Sequence, residues 1–138
     1  MSTPFWILLA REGETADGRY ISAKTLIALA NSYSPSVMPS LIRRGYSDEL
    51  QQVIVGKIVA AKTEVENDEV SLYVQVEINE QWFDVATKEV LAQIAIYPCL
   101  EYVDILVVMD APYISGVTLD SNPSIKNLEP LNKYMVKA

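Results

Sequence analysis

A chain of 138 residues with a mean hydropathy of +0.13, half of whose side chains are hydrophobic, is sized and composed for one folded domain with a core. Its 18 acids against 11 bases give a net charge of −7, which repels phosphate backbones and leaves Arg43-Arg44 as the only adjacent basic pair, so nucleic acid is a poor partner. It has no histidine, which excludes Ser-His and Cys-His couples, His-ligated zinc and any side chain that titrates near neutrality at its ordinary pKa; an enzyme of this sequence must work with carboxylates, lysine, tyrosine or its one thiol.

The N-terminal run Phe5-Trp6-Ile7-Leu8-Leu9-Ala10 is too short to span a bilayer and has no basic stretch before it, so it reads as a buried strand over 5–11 of a soluble, intracellular protein. The polar stretch from Glu12 to Arg19, with Gly13, Asp17 and Gly18, reads as a turn. From Ser22 to Asn31 the spacing of Ala23, Leu26, Ile27 and Ala30 predicts a helix, with Ser22 as N-cap. Residues 32–52 carry Pro35, Pro39 and Gly45 among serines and read as an irregular loop.

The middle of the chain is β. Val53 to Thr63 is apolar and β-branched, and Val70 to Ile78 alternates, with Val70, Leu72, Val74, Val76 and Ile78 on one face. Glu66-Asn67-Asp68-Glu69 between them predicts an antiparallel hairpin. Asn79 then resembles the N-cap of a second helix, Glu80 to Leu91, with Glu80 and Asp84 near its positive end. Strands over Ala92–Tyr97, Tyr102–Met109 and Tyr113–Thr118 follow, and 120–138, with Pro123 and Pro130, reads as an extended tail behind a domain of residues 1–119. This order predicts an α+β domain, a mainly antiparallel small β-barrel or strongly curved sheet with two or three helices, and argues against a doubly wound parallel fold.

Chemistry-bearing motifs are sparse. There is no GxGxxG and no Walker lysine with its glycines. Glu12, Glu14 and Asp17 fall close together, as ligands of a divalent cation or as a solvated turn. Asp48-Glu49 and Glu64 to Glu69 read as solvated turn residues. Cys99 is alone, so no intramolecular disulfide framework exists, and it follows Pro98 with no base beside it; an inert buried thiol is expected rather than a nucleophile. The 8 Tyr and 2 Trp suit a protein-binding surface as readily as a core.

The string Arg11-Glu12-Gly13-Glu14-Thr15-Ala16-Asp17-Gly18-Arg19-Tyr20-Ile21, then the helix, then Asn31-Ser32-Tyr33-Ser34-Pro35, resembles the opening of phage capsid scaffolding proteins that carry an N-terminal serine protease domain. These prohead proteases are grouped with the herpesvirus capsid proteases. The likeness continues through Gly56-Lys57-Ile58-Val59-Ala60-Ala61-Lys62, the acidic hairpin, Leu72-Tyr73-Val74-Gln75-Val76, and Leu106-Val107-Val108-Met109-Asp110-Ala111-Pro112 with Gly116, in the same order. It implies a prohead or herpesvirus protease-like fold, with a Ser nucleophile, a His base and an Asp that orients the His.

At those three positions the chain departs from the pattern. Asp17 matches the family's aspartate, but Tyr46, in Arg43-Arg44-Gly45-Tyr46, stands where the imidazole is expected, and Gln93 stands where the serine is expected. A carboxamide has no proton to lose as an acylating nucleophile, and a tyrosine of pKa about 10 is a poor base at neutral pH. Asp17 alone has no imidazolium to orient. In a shifted register Ser47 or Ser115 becomes a nucleophile with Lys57 or Lys88 as base. Family members also continue into a long helical scaffold, whereas the segment after Asp120 has no heptad pattern.

The resemblance therefore implies a catalytically degenerate, phage- or prophage-derived pseudoprotease that needs no cofactor or metal and acts by binding protein: its own kind, a capsid or scaffold protein, or a host protein. It places the chain in the cytoplasm of a bacterial host or on phage particles, with no membrane or nucleic-acid partner. Herpesvirus relatives pair through a helix, which makes a homodimer the expected assembly. The alternatives are a metal-dependent or other non-triad hydrolase built on Glu12, Glu14 and Asp17, and a structural virion protein.

Overall fold

The alternation from Val70 to Ile78 becomes a strand whose apolar side chains are all buried, and the rest of the sheet is assembled around it. The computed structural model describes residues 4–14, 18, 20–44, 53–79 and 97–120. In chain order the elements are β1 (Phe5–Arg11), β2 (Gly13–Glu14), β3 (Tyr20–Ile21), α1 (Ala23–Ser32), β4 (Leu41–Arg44), β5 (Val53–Glu66), β6 (Glu69–Ile78), β7 (Tyr97–Leu106) and β8 (Ala111–Asp120). Six strands form one sheet in the order β1-β6-β5-β4-β8-β7, while β2 and β3 form a separate two-residue ladder. Every pairing in the large sheet is antiparallel except β4 with β8.

The sheet is a curled half-barrel, and its bulges account for the curl. An extra residue in one strand bends it and increases its twist. Leu9 is the extra residue of β1 against β6, Val59 of β5 against β6, Val55 of β5 against β4, and Ser115 of β8 against β7. The edge strands β1 and β7 are thereby brought near each other. The same insertion at Leu9 breaks the alternation of β1, so that Ile7, Leu8, Leu9 and Ala10 are all buried in succession.

α1 packs against β8, β5 and β6. Ser22 caps it by accepting the Thr25 N–H at 3.1 Å, and the Tyr33 N–H closes its other end on the Leu29 carbonyl at 3.2 Å. Leu26 and Leu29 are fully buried, a contribution of roughly 1.5–3 kcal/mol for each side chain. Ile27, expected on the buried face, is 40% exposed. The inward stripe runs through Leu26, Leu29 and Ala30 to Tyr33, whose hydroxyl bonds to β5, and Ile27 lies beside it.

The β5–β6 hairpin is the one expected, closed by Asn67 and Asp68 at φ of 52° and 65°, the left-handed pair of a two-residue primed turn. Other expectations are corrected. The loop assigned to 32–52 contains β4, which lies between β5 and β8. β7 starts at Tyr97 and runs through Pro98 to Leu106 instead of spanning Tyr102–Met109; Pro98 is tolerated because β7, among the described residues, is an edge strand with a ladder partner on one side only. β8 is longer than Tyr113–Thr118 and includes Asp120, so the strand extends one residue into the expected tail. One helix is present among the described residues; the expected second helix Glu80–Leu91, residues 92–96 of the expected strand Ala92–Tyr97 and the tail 121–138 lie outside them. No helix of the described residues is long and apolar enough to cross a membrane.

Candidate functional site

The three positions of the expected degenerate triad, Asp17, Tyr46 and Gln93, lie outside the described residues, as do Ser47 and Lys88. Of the remaining candidates, Glu12 follows β1 directly and is taken up by the sheet. Its Oε1 accepts the Val70 N–H at 2.7 Å while its own N–H donates to the Val70 carbonyl at 3.0 Å, so both ends of the residue tie β1 to β6. Glu14 lies on β2, paired with Tyr20. Ser115 is the half-buried bulge residue of β8, and Lys57 is exposed on β5; β4 stands between their strands, two strand spacings of about 4.8 Å each. That topology does not bring them together as neighbours. Cys99 is buried on β7, with its Sγ 3.9 Å from the Tyr97 carbonyl.

The best-formed polar cluster joins the end of α1 to the sheet, and it was not foreseen as a site. The Tyr33 hydroxyl donates to the Ile58 carbonyl at 2.6 Å and accepts the Ser40 N–H at 2.9 Å. Ser40 is buried; its carbonyl accepts the Ile58 N–H at 2.9 Å and its hydroxyl donates to the Ile114 carbonyl. The residue immediately before β4 is thus bonded to both strands between which β4 inserts. Tyr113, fully buried, accepts the Ser34 N–H at 3.0 Å, and its one hydroxyl hydrogen is shared between the Ser34 and Met38 carbonyls, each at 2.7 Å. Ser32 adds a bond from its hydroxyl to the Pro112 carbonyl. Burial raises the Tyr33 phenol above its ordinary pKa of 10.0, hydrogen bonding from Ser40 pulls it partly back, and Tyr113 pushes it up again. The Tyr33 phenol therefore stays protonated at neutral pH as a donor to the Ile58 carbonyl, and its bonds together with those of Tyr113 make the cluster a clamp on residues 34–40.

A second grouping lies on the sheet face away from the core. Ile114, Val117 and Leu119 point inward, so Thr118, between two of them, points outward with its cross-strand neighbours Arg43 and Cys99. Gly116 occupies the adjoining row. A Cβ there would stand 3.2 Å from the Arg43 guanidinium and 3.3 Å from a Glu101 carboxylate oxygen, so the glycine leaves room for opposite charges on either side. The Thr118 hydroxyl is buried there and has no hydrogen-bond partner among the described residues.

The β7–β8 hairpin presents a surface of another kind. Val103, Ile105, Val107 and Val108 are 38, 64, 87 and 76% exposed. The expected strand Tyr102–Met109 contains all four, whereas β7 ends at Leu106 and Val107–Asp110 form the turn. The available signal was charge, since residues 97–120 contain Glu101, Asp104, Asp110 and Asp120 and no lysine or arginine.

Among the described residues no group of His, Cys, Asp or Glu side chains is arranged to hold a metal ion. No family model, curated protein or solved structure matches the chain.

Proposed function

We propose that the chain is a non-catalytic protein-binding module, a phage- or prophage-derived pseudoprotease related to the capsid scaffolding proteases. The observation that carries this reading is the residue chemistry at two positions of a resemblance extending over residues 5–118: Tyr46 in the place of the general base and Gln93 in the place of the nucleophile. Neither can take the role, because the amide is not a nucleophile toward an acyl group and the phenol holds its proton far above neutral pH. The curled six-stranded half-barrel is the strongly curved, mainly antiparallel sheet that this reading expects. The function left to such a domain is to occupy a surface of another protein in capsid assembly or in the host.

The metal-dependent hydrolase built on Glu12, Glu14 and Asp17 has weaker support, since Glu12 already spends one carboxylate oxygen on the Val70 amide. Two measurements test the proposal. Purified protein should neither cleave capsid or scaffold substrates nor label with a serine-directed fluorophosphonate; labelling at a serine whose replacement abolishes an activity overturns it. Calorimetric titration with magnesium, calcium and manganese should show no stoichiometric binding, and a saturable site lost in Asp17→Asn favours the hydrolase.

A further inference from the structure

An exposed aliphatic side chain standing alone on a surface is ordinary, but four within six residues at one end of a hairpin are not. The turn that carries Val107 and Val108 is held in shape. The Leu106 carbonyl accepts the Met109 N–H at 2.9 Å and the Asp110 N–H at 2.8 Å, and Asp110 takes a φ of 49°. Below it the β7–β8 ladder pairs Val103 with Tyr113 and Leu106 with Ala111, and Ile105 is bracketed between those two pairs. A tip ordered before binding loses little conformational entropy on docking.

Charge selects what it docks against. Asp104 lies between Val103 and Ile105, Asp110 closes the turn, and no cation occurs in residues 97–120; Glu101, lower on the same strand, has the Arg43 guanidinium across Gly116 and does not belong to the tip. Two copies meeting tip to tip bring these acids together on chains that already carry −7 each, and an anionic membrane repels them in the same way. A complementary surface supplies an apolar groove for the valines and a rim of Lys or Arg for the acids.

We propose that the β7–β8 tip, Val103 to Asp110, is a docking element for an apolar groove with a basic rim on a protein other than this chain. This rests on the protein-binding reading above and names the surface and the partner class through which it acts.

The test uses the full chain, immobilised, to select from a random peptide library, with a V107S/V108S variant as counter-target. Both side chains are exposed, so the variant keeps its fold, checked by circular dichroism and melting temperature. The selected peptides should combine aliphatic residues with Lys or Arg, should bind the variant at least about tenfold more weakly, equivalent to about 1.4 kcal/mol, and should weaken as salt shortens the Debye length from about 10 Å at 0.1 M to 3 Å at 1 M. The proposal is overturned by failure of any peptide to enrich, by peptides without basic residues, or by peptides that bind the variant as tightly as the wild type. It is overturned equally by a dimer in sedimentation velocity that V107S/V108S dissolves, which assigns the tip to a second copy, or by variant-sensitive binding to phosphatidylcholine vesicles, which assigns it to a lipid surface. Failure of the docking with no fluorophosphonate labelling leaves the non-catalytic reading in place; labelling with docking intact removes that reading and keeps the tip.

Discussion

The rings of Tyr33 and Tyr113 stack with centroids 5.3 Å apart and planes 29° from parallel, and their two hydroxyls bond to opposite ends of the same loop. Tyr113 holds Ser34 and Met38, while Tyr33 holds Ser40 and through Ile58 the centre of β5. Each phenol therefore serves as a buried hydrogen-bond hub as well as a packing surface. Tyr113→Phe retains the ring but removes the partner of the Ser34 N–H and of the Met38 carbonyl, while the Ser34 carbonyl keeps the Val37 and Met38 N–H groups. The expected cost is about 1–3 kcal/mol, the price of an unsatisfied buried polar group, read as a lower midpoint in urea at unchanged slope. A midpoint shift within error removes the clamp role. In a double-mutant cycle with Tyr33→Phe the two losses should be non-additive, because both substitutions release one loop.

Stability should fall at high pH through Tyr33. Burial raises its folded-state pKa above the 10.0 of an exposed phenol, so between those two values the native state binds more proton than the unfolded state. Its contribution is thus complete below pH 10 and is lost as pH rises through the folded-state value. Urea midpoints from pH 8 to 11.5 should drop more steeply for the wild type than for Tyr33→Phe. Parallel curves would assign the alkaline loss to other groups.

Gly56 pairs with Ile42 on one side and Ile78 on the other, next to the Val55 bulge. A Cβ at this position would run into the Glu77 carbonyl oxygen, with the Ile78 side chain 3.1 Å away. Backbone, unlike the end of a flexible side chain, cannot step aside without moving β6. Gly56→Ala should cost about 1–3 kcal/mol, measurable as a reduced melting temperature. A neutral substitution would show that β5 and β6 are farther apart here than described.

What the sequence disclosed of this fold was what depends on neighbours along the chain. The alternation in β6 and the Asn67-Asp68 turn are local, and both stand in the structure as read. β4 was hidden because four residues cannot show a period, and because its partners, Ile54 and Thr118 against Arg43, are remote in sequence. Pro98 and the pair Val107-Val108 misled for one reason: edge position and turn position are properties of the sheet, and they reverse the usual meaning of a proline and of an apolar run. At the candidate site the involvement of Glu12 follows from the β1–β6 register, which no local pattern encodes. The readings of Asp17, Tyr46 and Gln93 rest on resemblance alone.

The β5–β6 turn offers a gain in stability. Asp68, at φ 65°, is exposed and holds a conformation that costs an L-residue about 1–2 kcal/mol relative to the right-handed region, less for Asn and Asp, whose short polar side chains bond locally. Glycine adopts it without the Cβ clash, and Asn-Gly is the preferred pair for this turn. Against that, glycine loses more backbone entropy on folding, roughly 0.5–1 kcal/mol. Asp68→Gly should therefore stabilise by a few tenths of a kcal/mol up to about 1 kcal/mol, while Asp68→Val, β-branched in a left-handed position, should destabilise by more than that. The opposite order of melting temperatures for the two variants would mean that the hairpin is closed by some other turn.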